Sequence, residues 1–409
     1  MAGFSTCSVL TMKFAFISHV LPPSWSGQAM VIYRLLRDLD PDEYCLISRQ
    51  DYDTVPSSDC HSNRLPGRYY ALPEAFRIKR GSHSRLQVWR RRLNVLRLVS
   101  LSIYIARIVR RENCAAVVAC TGALLDPPAG YLASRLAGVP FYAYIFDYFS
   151  YQYTEAMARF VAQRLEPLVL RGAAGMMVPN EFLREDLRCR YGVTATVIHN
   201  PCDPSEYGAI PEDALGSKRD EINIVYTGAV YEAQLDACRN LLAAIELLEQ
   251  PNASLHIYSA QSPVELDEMG IRGPIVYHQH QALSSMPGVH QQADILFLPL
   301  AFTSPYPQII RTSAPGKTGE YLAARRPILV HAPADSFLAW YFREFECGVV
   351  VDEGDPKKLA EAIERILADG GLRQRLSARA WERAQSDFSV STAQAKFAGV
   401  LKVDLSDRS

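Results

Sequence analysis

No Cys-x-x-Cys pair and no Cys/His cluster at zinc spacing occurs among the nine cysteines of this 409-residue chain. That argues against a structural zinc or a disulfide framework and leaves reduced, buried thiols in a reducing compartment. Neither sign of charge is in excess: 43 Lys and Arg stand against 44 Asp and Glu, so the total charge offers no case for nucleic acid. There is no basic leader with a small-residue cleavage site, and the first apolar run is interrupted by Lys13, so no signal peptide is expected. Met12-Lys13 directly ahead of Phe14-Ala-Phe-Ile17 reads as a natural start, with residues 1–11 an upstream extension. No stretch reads as a membrane-spanning helix, and no internal repeat points to a solenoid. A convergent Ser/His/Asp set is missing as well.

What is present divides into two α/β domains, because 409 residues exceed one ordinary core and the hydrophobic share of 48% can fill two. Phe14-Ala-Phe-Ile-Ser18 is a short apolar run suited to a buried parallel strand. A loop from His19 to Gly27 leads from it into a helix over 28–39, the opening of a doubly wound domain. Further strands are expected at Tyr44–Ile47, Cys114–Cys120, Phe141–Phe146 and Ala173–Val178, with residues 51–70 a polar, turn-rich insertion. Asp147 stands at the end of the 141–146 run, where open α/β folds gather ligands; it is either an acceptor-side contact or a cap of the next helix.

Acids are wholly absent between Glu74 and Glu112, a segment carrying eleven Arg or Lys residues from Arg77 to Arg111. Leu86, Trp89, Leu93, Leu96, Ile103 and Ile108 recur there at helical spacing, which predicts a basic amphipathic helix pair. It is open to three readings: a core helix with a solvated arginine face, a contact with an anionic inner leaflet, and, least favoured, a nucleic-acid surface.

The stretch Thr312-Ser-Ala-Pro-Gly-Lys-Thr-Gly-Glu320 followed by Tyr321–Val330 reads as loop, short helix, turn and strand. Pro315 and Gly316 start the helix, Lys317 sits in its first turn, and the open backbone suits a phosphate; Glu320 is placed to accept from a sugar hydroxyl of the same ligand. The alternative is an ordinary αβ connection with a solvated lysine. Before it comes the buried run Ala293–Pro299; after it come Gly348-Val-Val-Val-Asp352 and Gly354-Asp-Pro356. His278, His280 and His290 have no carboxylate between them, so a metal site is not expected.

In order and spacing these segments resemble the nucleotide-binding half of GT-B glycosyltransferases, most nearly the retaining family numbered 4. The resemblance reaches the first half through Pro22-Pro-Ser-Trp-Ser-Gly27 and Val197-Ile-His-Asn-Pro-Cys-Asp203. It implies an α/β chain of two Rossmann-like, doubly wound domains facing a cleft. The domains would be 1–203 for the acceptor and 204–388 for the nucleotide sugar, with 389–409 a C-terminal helix crossing back. Glu320 falls on the family's second glutamate, which implies a ribose contact, and Asp147 on the aspartate of its His-Asp pair; these two are the implied catalytic residues. Implied substrate-binding residues are His19, Ser26 and Gly27 in the first loop, Gly228 after the strand Ile222–Tyr226, and Arg311, Thr312, Ser313, Pro315, Gly316 and Lys317. The family's Arg and Lys after the Gly228 turn are not evident, so Arg239, Arg311 or Lys317 is expected to meet the diphosphate. The family's first glutamate is Thr312 here.

The implied activity is retaining transfer of a sugar from a nucleoside diphosphate to an acceptor hydroxyl, in bacterial polysaccharide or glycoconjugate assembly, with no cofactor and no metal. The acceptor would be a saccharide or lipid-linked, and the enzyme cytoplasmic, peripheral on the inner membrane face through residues 77–111. A catalytically silent homologue acting as a partner or scaffold is the alternative, and a GT-B sugar-nucleotide epimerase is less favoured.

Overall fold

The computed structural model describes residues 12–24, 26–52, 63–73, 84–209, 221–248, 252–279 and 281–402, with side chains between Ser84 and Asn94 excepted. The chain forms two compact units, one of Met1–Ile198 with Ala393–Ser409 and one of His199–Thr392.

In the first unit the elements run β1 (Phe14–Ile17), α1 (Gly27–Leu36), β2 (Tyr44–Ser48), β3 (Arg68–Ala71), α2 (Ser84–Arg111), β4 (Ala116–Cys120), α3 (Asp126–Ala137) and β5 (Phe141–Tyr144). They continue with α4 (Ala156–Arg171), β6 (Gly175–Val178), α5 (Glu181–Tyr191) and β7 (Thr196–Val197). The strands form a parallel sheet in the order β3-β2-β1-β4-β5-β6-β7, so the direction of winding reverses between β1 and β4. Both faces are covered, which explains the unbroken apolar runs. Ala15, Ile17, Val117 and Ala119 face α2 and α3. Phe14, Phe16, Val118 and Tyr142 face α1 and the chain's last helix, whose Phe397 meets Phe14 at 5.7 Å between ring centroids.

Two expectations change here. β3 begins inside the stretch read as a polar insertion, 51–70, and pairs with β2 from Cys45↔Arg68 to Ser48↔Ala71. The basic segment forms one 28-residue helix from Ser84, not a pair, because no Pro or Gly interrupts residues 84–111. Residues 77–83 lie outside the described ones. From Val95 onward Leu101, Ile105, Ala106 and Val109 are buried, whereas Val95, Leu96, Val99 and Ile103 are exposed. No helix among the described residues is long and apolar enough to cross a membrane.

The second unit repeats the scheme: β8 (Ile222–Thr227), α6 (Leu235–Glu246), β9 (Ala253–Ser259), α7 (Pro263–Glu268), β10 (Ile275–Gln279), α8 (Met286–Gln292), β11 (Ile295–Pro299), α9 (Pro307–Arg311), α10 (Thr318–Ala323), β12 (Ile328–His331), α11 (Phe337–Glu344), β13 (Val349–Val351), α12 (Pro356–Ala368) and α13 (Gly370–Ser386). Helix α14 (Val390–Lys402) ends the described chain. The parallel order β10-β9-β8-β11-β12-β13 again reverses beside the unit's first strand. Ile224, Leu255, Phe297 and Leu329 pack with Leu241 of α6 and Ile363 of α12. Gly354-Asp-Pro is a helix start: Asp355 accepts from the Lys357 amide at 2.9 Å and Pro356 occupies the first turn.

Candidate active site

At the carboxyl end of β8 the chain turns through Gly228 with φ of +108°, a conformation open to glycine. A side chain there would also lie 3.2 Å from the Lys317 ammonium, which projects over this turn. Lys317 Nζ stands 3.7 Å from the centre of the Tyr226 ring, the next residue but one back along β8. Lys317 keeps partial solvent access, with its ammonium lying over the Tyr226 ring and the Gly228 turn. Burial pushes its pKa down to about 7, opposed by Cys238 and Glu320. Among the described residues no carboxylate pairs with it. A cation held in this way lacks a counter-charge and is poised to receive an anion.

A buried hydrogen-bond chain fixes that geometry. The Tyr321 hydroxyl accepts from the Thr227 amide at 3.0 Å, tying α10 to the Gly228 turn. Thr227 Oγ1 meets His290 Nε2 at 3.2 Å, and His290 Nδ1 meets the Tyr207 hydroxyl at 3.0 Å. The loop before α10 is held by Asn200 Nδ2, which donates to the Ala314 carbonyl at 2.8 Å. A Cβ on Gly319 would come within 3.1 Å of Phe388 and 3.2 Å of the Asn200 carbonyl, so the short helix needs glycine to dock there. With only six residues α10 has little macrodipole, and the positive charge expected at its start comes from Lys317 itself.

The other expected residues are placed as follows. Glu320 is half-buried in the first turn of α10. Thr312 is buried, with Oγ1 donating to the Gln308 carbonyl at 3.0 Å, so its hydroxyl turns back into α9. Ser313 donates its amide to Ile310, Pro315 accepts from Thr318 Oγ1 at 2.8 Å, and Gly316 is exposed with open space around it. Arg311 closes α9 and is half-buried. The Arg239 guanidinium donates to the Met269 carbonyl beyond α7 and is not among the groups gathered at Gly228. In the first unit Ser26 caps α1, accepting from the Ala29 amide at 3.2 Å, and Gly27 is exposed beside it. His19 sits against Gly122, whose φ of +137° and lack of a side chain leave room for the imidazole. Asp147 is exposed at the end of β5 and caps no helix, since α4 starts at Ala156 with Glu155 before it.

The histidines do not converge. His278 hydrogen-bonds His256 at 3.0 Å, His290 is buried in the Thr227 chain, and His280 lies outside the described residues. No group of three metal-ligating side chains occurs among the described residues. Tyr226 and Tyr321, which hold and flank Lys317, were not singled out from the sequence; their only signal was a Tyr placed beside each glycine motif.

Residues 26–201 match the family model "Glycosyl transferase 4-like domain", and residues 221–369 match "Glycosyl transferases group 1". The first matched curated relative is the lipopolysaccharide core biosynthesis glycosyltransferase LpsE of Rhizobium meliloti, 46% identical over 50 residues. That is 12% of this chain and only 15% of the relative. The alpha-D-kanosaminyltransferase of Streptomyces kanamyceticus is 22% identical over 316 residues, 72% of this chain and 78% of the relative. Among solved structures, Anabaena HepE in complex with UDP and glucose superposes with a TM-score of 0.65 at 17% identity, covering 96% of this chain and 100% of that one. The fold is therefore GT-B. The chain belongs to the group 1 glycosyltransferases, resembling family 4.

Proposed function

We propose that the chain transfers a hexose-type sugar from a nucleoside diphosphate to an acceptor hydroxyl with retention of configuration, in the assembly of a bacterial polysaccharide or other glycoconjugate. The observation that carries this reading is the unpaired, partly dehydrated Lys317 ammonium over the Gly228 turn. A diphosphate placed there restores the full charge of the lysine, and the lysine in turn stabilises the leaving group. The anomeric carbon to phosphate-oxygen bond breaks as the bond to the acceptor oxygen forms on the same face. The acceptor proton passes to the departing phosphate, so no protein nucleophile is required. Glu320, one turn beyond Lys317, is assigned to the donor ribose. HepE, solved with UDP and glucose, supports a uridine nucleotide as the first donor to try.

Lys317 supplies the charge that a divalent ion would otherwise carry, so transfer should persist in excess EDTA. Loss of activity restored by Mg²⁺ would overturn that part of the reading. The acceptor is assigned to saccharides or lipid-linked saccharides at the cytoplasmic face of the membrane. Val95, Leu96, Val99 and Ile103 on the exposed side of α2, with Arg107 and Arg110 further along, offer an apolar and cationic contact for anionic lipid. A second reading, a silent homologue acting as a scaffold, is favoured by Thr312, whose hydroxyl turns into its own helix where the family carries a glutamate.

The test is thermal unfolding with UDP, GDP, TDP, ADP and CMP, for the wild type, Lys317→Ala and Glu320→Ala. A nucleotide at about 100 times its Kd adds roughly 2.7 kcal/mol. The expected result is stabilisation by one diphosphate, lost in both variants. No shift with any nucleotide in a folded sample would favour the scaffold.

A further inference from the structure

We propose that the second unit carries a further binding site, for a phosphate monoester attached to an apolar body, in the open cleft bordered by α11, β13, α12 and α13. The cleft measures about 510 Å³, within the range of small-molecule sites, and shares no lining residue with the Gly228 and Lys317 site. β13 is the outermost strand of its sheet, which leaves Val349 and Val350 only partly covered. With Leu372 and Leu376, which are largely buried beneath them, they give the cleft a small apolar floor.

Its rim is cationic. Arg343, Arg365, Arg375 and Arg379 reach it from three different helices, against one lining carboxylate, Glu346. Arg343 pairs with Asp352 and Arg379 with Glu346. Arg365 and Arg375 have no ion-pair partner among the described residues. Four guanidiniums less the two carboxylates leave two positive charges. A phosphate monoester carries about −1.5 to −2 at neutral pH, which matches that excess, and its oxygens suit the planar fork of arginine. Inorganic phosphate satisfies the rim but leaves the floor wet; a neutral apolar molecule covers the floor but leaves the arginines uncompensated. Only a ligand with both parts uses both surfaces.

The site is independent of the transfer reaction, and its test reads binding alone. Full-length protein is titrated calorimetrically with dodecyl phosphate below its micelle concentration, with inorganic phosphate and dodecyl maltoside as controls. The same titrations are run on the double variant Arg365→Gln/Arg375→Gln. Both arginines are exposed and unpaired, so the variant should fold, as its circular dichroism will verify. The expected result is saturable 1:1 binding of dodecyl phosphate, at least tenfold tighter than either control and at least tenfold weaker in the double variant. Equal binding of the maltoside, or affinity unchanged in the variant, overturns the proposal, as does the absence of saturable binding. Sedimentation with phosphatidic acid vesicles then identifies the source. Variant-sensitive vesicle binding assigns the phosphate to a lipid headgroup; dodecyl phosphate binding without vesicle binding assigns it to a free phosphorylated molecule.

Discussion

Replacing Lys317 with methionine should lower kcat/KM for sugar transfer by roughly 10²- to 10³-fold, the loss typical when one donor to a developing oxyanion is removed. The same change should make the unliganded protein more stable. Lys317 has its folded pKa depressed from 10.5 to about 7 by burial of the ammonium. Between those values the unfolded state binds more protons, so wild-type stability rises with pH from about 7 to 10.5. Below pH 7 both states are protonated and the full penalty of the buried charge applies; above 10.5 it vanishes. Lys317→Met should therefore be more stable than the wild type below pH 7, by roughly 1–2 kcal/mol once the partial solvent access of the residue screens most of the penalty that so large a shift implies. The gain should shrink to nothing by about pH 10.5. Urea midpoints from pH 6 to 11 measure this, and kcat/KM with the nucleotide sugar measures the cost. A variant that loses activity without gaining stability would mean that the ammonium is solvated in the resting enzyme. One that gains stability and keeps activity would remove Lys317 from the leaving-group site.

Lys317 also marks where the sequence was legible and where it was not. Its loop stood out because Pro315, Gly316 and Gly319 bracket it, and glycines and prolines carry backbone consequences that need no knowledge of the fold. The strands β1, β4, β8 and β11 were equally legible, because both faces of a parallel sheet are buried and the runs are almost purely apolar. What Lys317 rests on could not be read. Tyr226 lies 91 positions earlier, and the two meet only because β8 and β12 both flank β11. His290 illustrates the same limit: its place near His278 and His280 in the sequence says nothing of its partners, which are Tyr207 and Thr227, distant in sequence. β3 was hidden for another reason. An edge strand with one side open can carry Arg68 and half-exposed tyrosines, so it lacks the apolar run by which its neighbours were recognised.

That edge strand leads to the largest expected loss of stability, from Glu112→Ala. Glu112 follows the end of α2 with its side chain only 2% exposed, and it binds three groups from two strands' neighbourhoods. Lys13 Nζ, just before β1, lies 2.7 Å from one carboxylate oxygen. Arg68 Nη1 and the Tyr70 hydroxyl, both of β3, donate to the other at 3.1 and 2.5 Å. Desolvation acts to raise its pKa, but the hydrogen bonds from Lys13, Tyr70 and Arg68 outweigh it and hold the carboxyl at about 2, below its ordinary 4.5. Removing the carboxylate strands the Lys13 ammonium and unpins β3 together, and breaking a buried ion cluster by one partner costs roughly 3–5 kcal/mol. Because Arg68 is largely exposed and Lys13 partly so, the lower end, about 3 kcal/mol, is expected. Arg68→Ala should cost far less, since water screens an exposed partner of an ion pair. A depressed carboxyl pKa stabilises the fold above the unfolded value and ceases to do so as pH falls through the folded one. The gap between wild type and Glu112→Ala in urea midpoint should therefore be constant above about pH 4.5 and narrow progressively toward pH 2. A gap independent of pH would show that Glu112 contributes packing and not charge, and would leave β3 held by its pairing with β2 alone.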